Sequence, residues 1–112
     1  MRNAPSARII LTTVATIEEA NKLASALVER ELAACVNIVP GLTSIYRWQG
    51  GIEEASETLL IVKTTSQHLP ALEDALRELH SYEVPELLAI NVESAGQAYL
   101  DWLMTSLRPS TD

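Results

Sequence analysis

Cys35 and His80 are the side chains of this 112-residue chain best suited to bind a soft or borderline metal ion. A thiolate favours Cu(I) or Zn(II), and a neutral imidazole binds Cu(II) or Zn(II). Each also has a plainer reading. Cys35 lies in the apolar run from Leu32 to Val39, where a free cysteine packs as a small hydrophobe. His80 follows a helical pattern, and a helix C-terminus favours a protonated imidazole whether or not metal is near. Tyr46 and Trp48 fall on one side of a strand. Two aromatics at that spacing pack against something large, either a neighbouring copy or a ligand. Lys63 ends an apolar strand, so it needs a carboxylate if buried, and Glu57 and Glu86 are the candidates, within the chain or across copies. The sequence has no phosphate-cradling glycine loop, HExxH pair, CxxC pair or nucleophile elbow. A dyad of Cys35 and His80 would lack an orienting third group. The expectation is a binding protein, not an enzyme.

Bulk properties narrow the partners. The formal net charge is −7, which argues against a nucleic-acid backbone or an anionic membrane surface as partner. A single cysteine rules out an intrachain disulfide and points to a reducing compartment, the cytoplasm. Hydrophobic residues make up 47% of the chain, enough to build one core. There is no Phe, so Leu, Ile, Val and Ala must fill that core. Residues 1–7 carry no signal-peptide pattern and read as a flexible N-terminus, 8–109 as one domain, and 110–112 as a flexible C-terminus.

The elements that must position these residues centre on Ser44 to Lys63. Its first half alternates, Gly50-Gly51 supplies a hairpin turn, and Thr58 to Thr65 is rich in strand formers. Arg8 to Val14 reads as a strand buried on two faces. Thr16 with Glu19 fits a capping box that opens a helix with Ala20, Leu23, Ala24, Leu27 and Val28 on one stripe. Leu32 to Val39 is the next strand, and Pro40-Gly41 reads as a bulge in it rather than its end. After a proline-bearing helix entry at Ser66 to Pro70 come Leu69, Leu72, Ala75, Leu76 and Leu79 at helical spacing. A connector, His80 to Glu86, leads to a strand from Leu87 to Val92. Ser94 with Gln97 then opens a terminal helix with Tyr99, Leu100, Leu103, Met104 and Leu107 inward.

This order predicts an α+β, ferredoxin-like βαββαβ sandwich with an extra C-terminal helix and a long hairpin between its second and third strands. Both main helices would lie on one sheet face. The strands are apolar on both parities, so the second face needs a cover that one short helix cannot supply. A homo-oligomer is the expected answer.

Several segments resemble the CutA family of divalent-ion tolerance proteins. They are Ala33-Ala34-Cys35-Val36-Asn37, Pro40-Gly41, Ser44-Ile45-Tyr46-Arg47-Trp48 with Gly50, Glu57, Lys63-Thr64-Thr65, His80, Tyr82, Pro85-Glu86-Leu87 and Tyr99-Leu100-Asp101-Trp102-Leu103. Their order and spacing cover almost the whole chain. Ser81 stands where the family often has proline, which is expected to loosen that loop. The resemblance implies a tight homotrimer and a cytoplasmic role in tolerance to copper and other divalent metals. It also implies likeness to the PII signalling proteins in fold and assembly. Carried onto this sequence, it marks Cys35, His80 and Glu86 as metal candidates. It marks Tyr46, Trp48, Glu57, Lys63, Tyr82 and Trp102 as candidates for a ligand cleft or subunit interface. No obligatory cofactor is expected, and copper or another divalent cation is the ion to test. Two alternatives stay open: a PII-like sensor of a small molecule in inter-subunit clefts, and a trimeric scaffold that picks up metal adventitiously.

Overall fold

The computed structural model describes residues 1–109. The expected flexible C-terminus, 110–112, lies outside the described residues. In chain order the elements are β1 (Arg2–Asn3), β2 (Ala7–Val14), α1 (Ile17–Glu29), β3 (Cys35–Trp48), β4 (Gly51–Thr65), α2 (Leu69–Leu79), β5 (Leu88–Asn91), β6 (Ser94–Ala95) and α3 (Gln97–Thr105). A 3-10 turn at Ser66–His68 leads into α2. The run from β2 to β5 is two strand-helix-strand halves, and their four strands pair antiparallel in the order β3-β4-β2-β5. This is the expected ferredoxin-like sandwich.

Alternation along the strands separates two faces. Ile10, Val14, Val36, Ile38, Leu60 and Val62 turn toward Ala20, Leu23 and Leu27 of α1 and Leu72, Ala75 and Leu76 of α2, which together form the core. Ile9, Leu11, Leu59 and Ile61 occupy the opposite parity, level with Val39, Leu88 and Ile90. The chain leaves that second face open: Leu88 is 55% exposed and Ile90 44%. α3 closes only one end of the sheet. Its Leu100 packs on Ala4 and Ala7, while its Leu103 and, just past its end, Leu107 pack on Ala34.

Several local expectations need correction. The residues ahead of the domain, read as loose, are held. Arg2 and Asn3 pair with Ala95 and Ser94, Ala4 is buried, and Arg2 Nη2 reaches Asp101 Oδ1 at 2.7 Å. Because Ser94 is spent on that pairing, the cap of α3 falls to Gly96. Tyr99 and Met104 flank the buried stripe of α3 and are exposed, as is Val28 on α1. The hairpin turn is Gln49-Gly50, with φ of 49° and 81°, and Gly51 already pairs with Trp48. Positive φ at both central residues is the type I′ geometry, whose twist matches that of the flanking strands.

The bulge at Pro40-Gly41 forms as expected. The β3–β4 register slips between Val39 and Leu42, and Gly41 takes φ of 79°. The slip moves the even residues Ser44, Tyr46 and Trp48 onto the face that carried Cys35, Asn37 and Val39 before it. β2 pairs only with Thr58 to Thr65 of β4, so the outer hairpin extends past the body. That projection fits the 44 Å long axis of the molecule.

Candidate functional site

The bulge and the connector after α2 together build a cleft. Thr16 caps α1, its Oγ1 accepting the Glu19 amide at 3.1 Å. The reciprocal half of a capping box does not form. Glu19 instead reaches the connector, where Oε2 accepts the Ser81 amide at 3.0 Å and Oε1 accepts the Ser81 hydroxyl at 2.8 Å. Ser81 therefore fastens the loop it was expected to loosen, through an amide hydrogen that proline would lack.

His80 is buried beside this tether. Its Nδ1 accepts the Tyr82 amide at 3.1 Å. An amide nitrogen can only donate, so the ring proton sits on Nε2, which donates to the Thr13 carbonyl at 2.8 Å. Glu19 Oε2 lies 3.8 Å from Nδ1. Both ring nitrogens are thus engaged, and neither offers a free lone pair to a metal. The imidazole holds the connector in place.

That arrangement delivers Tyr82 to the hairpin, where its hydroxyl donates to Glu57 Oε2 at 2.8 Å. Burial, the Glu57 hydrogen bond and the nearby Glu57 and Glu19 charges push the phenol well above the usual tyrosine range. The group therefore stays a donor. Tyr82 also tilts against the His80 ring, with centroids 5.0 Å apart.

Between the hairpin and the connector lies a cleft of about 770 Å³. Tyr46, Trp48, Glu57 and Tyr82 line it, with Glu86, Glu83, Ser44, Ser81, Ile45, Val84 and Thr13. Glu83 and the Glu19 tether were missed. Glu83 sits in a polar connector with no periodicity to mark it, and Glu19 read as half of a local cap.

The remaining candidates lie elsewhere. Lys63 Nζ donates to Asn37 Oδ1 and comes within 4.0 Å of Cys35 Sγ. Lys63 makes no ion pair with Glu57 or Glu86 among the described residues, and it does not line the cleft. Trp102 is half exposed on α3 and packs on Tyr99, centroids 5.4 Å apart. Cys35 is level with Lys63, whereas the Thr13 that holds His80 is level with Leu59. Four residues of strand put them about 13 Å apart along the sheet. Among the described residues no three His, Cys, Asp or Glu side chains converge to hold an ion. Cys35, His80 and Glu86 are therefore not one metal site within a single chain.

Comparison with known proteins agrees with the fold. A family profile described as CutA1 divalent ion tolerance protein matches residues 8–106. The divalent-cation tolerance protein CutA of Thermus thermophilus is 54% identical over 95 residues, covering 85% of this chain and 92% of that protein. Protein CutA of Homo sapiens is 51% identical over 84 residues, covering 75% of this chain but only 47% of that longer protein. The solved CutA1 from Oryza sativa superposes with a TM-score of 0.92 at 39% identity, covering 94% of this chain and 96% of that one.

Proposed function

The chain belongs to the CutA1 divalent ion tolerance family, and from that premise we propose that it assembles as a homotrimer and binds divalent cations, copper among them, where copies meet. The observation that carries the reading is the open sheet face, where Leu88 and Ile90 stand 55% and 44% exposed next to half-buried Ile9, Leu11, Leu59 and Ile61. Apolar area of that kind is stabilised by about 25 cal/mol per Å² when covered. Lys63 lies on the same face with no carboxylate partner among the described residues, and Glu57 or Glu86 of another copy is its natural partner.

Cys35, His80 and Glu86 remain the metal donors by chemistry, but one chain keeps them apart. An ion therefore needs donors from more than one copy, or release of His80 from the Tyr82 amide. The single cysteine suits a reducing, cytoplasmic setting, and the role is binding rather than catalysis.

The test is a titration of Cu(II) and Zn(II) into the reduced oligomer, repeated with Cys35→Ala, His80→Ala and Glu86→Ala. Saturable uptake weakened by at least one substitution is expected. Equal, weak uptake by every variant would leave only adventitious binding. The aromatic walls of the cleft favour a second reading, a PII-like sensor that holds a small molecule there.

A further inference from the structure

We propose that the cleft between the β3–β4 hairpin and the connector takes an organic cation, a small molecule bearing an alkylammonium or amidinium group. This rests on the second reading above, that the cleft is a ligand site, and names the ligand class.

The walls, charges and volume of the cleft set the sign and shape of the ligand. Tyr46, Trp48 and Tyr82 wall the cleft, and aromatic faces attract a desolvated cation. Glu57, Glu83 and Glu86 supply the only formal charges among the lining residues. Lys63, the one cation expected there, sits instead with Asn37 and Cys35. An anionic metabolite would enter with no positive group to receive it. A bare metal ion fares poorly too, because these carboxylates do not converge on one point. Separated carboxylates between aromatic walls suit an extended cation. A volume of about 770 Å³ is also far larger than an ion needs and falls in the range of small-molecule sites. A second hollow, of about 530 Å³ near Arg8 and Asn91, has no aromatic wall.

The experiment is calorimetry on the full chain in its native assembly, at low salt. The probes are choline, spermidine, succinate and 3,3-dimethylbutan-1-ol, the last being choline's uncharged isostere. Saturable binding of an ammonium probe below about 10 mM is expected, with the isostere about tenfold weaker. Trp48→Leu and Glu86→Gln should each weaken the ammonium probe about three- to tenfold. Equal binding of choline and its isostere would overturn the proposal, as would ammonium binding untouched by both substitutions. Binding of succinate alone would overturn the cation class and leave the cleft as a ligand site. No binding by any probe, including the outcome in which another copy fills the cleft, would overturn both.

Discussion

Tyr82 and Glu57 meet across 25 residues of sequence, the phenol hydroxyl donating to the carboxylate at 2.8 Å. That bond joins the connector after α2 to the hairpin and so shapes the cleft. Tyr82→Phe removes the donor and leaves Glu57 without it, at a cost of about 1–2 kcal/mol. Chemical denaturation of the two proteins checks this. The variant should also lose affinity for any cleft ligand by more than its loss of stability explains.

The same phenol sets a pH dependence. Burial and Glu57 raise its pKa in the folded chain. The unfolded chain begins to release this proton near pH 10 while the folded chain still holds it. The stability it contributes is complete below about pH 10 and is lost as pH climbs toward the raised value. Melting curves from pH 7 to about 11.5 should fall more steeply for the native chain than for Tyr82→Phe.

Glu19 accepts two hydrogen bonds from Ser81, at 3.0 and 2.8 Å. Glu19→Ala removes both and should destabilise by about 1–3 kcal/mol. The Thr16 cap survives, because it uses the Glu19 amide. Exposed Glu18 on the same turn is the control, and Glu18→Ala should stay within about 0.5 kcal/mol of the native chain. Amide exchange at Ser81 and Tyr82 reads the local effect directly.

The hairpin turn gives a fourth test. Gly50 holds φ of 81°, so Gly50→Ala should cost about 1–2 kcal/mol. Gln49 holds φ of 49°, where Asn is preferred, so Gln49→Asn should stabilise the hairpin. Denaturation midpoints moving in opposite directions would bear out the type I′ assignment.

Much of the fold is legible from periodicity. The stripes Leu23–Leu27 and Leu72–Leu76 bury as their spacing requires, and Pro40-Gly41 gives away the bulge. The start of β4 is harder to read, because Ile52, Glu53 and Glu54 are exposed and their pairing depends on β3 alone. Ser94 looks like a cap from its neighbours, and only a strand arriving from residue 3 takes it away. The cleft divides the same way. Tyr46 and Trp48 announce themselves by alternation. The Glu19–Ser81 tether joins residues 62 apart, which leaves no local pattern, and Glu83 sits in a connector with no periodicity. Charge alone matches Lys63 to carboxylates, whereas strand register puts it opposite Cys35 and on the same side as Asn37.

The most direct measurement is the mass of the purified chain in solution at micromolar concentration, by sedimentation equilibrium or native mass spectrometry. The proposed assembly predicts a stable species of three chains, each of 12.3 kDa, and Ile61→Lys should break it apart while leaving the helices folded. A native chain that stays at 12.3 kDa, with Ile9, Leu11, Leu59 and Ile61 left against water, would contradict it.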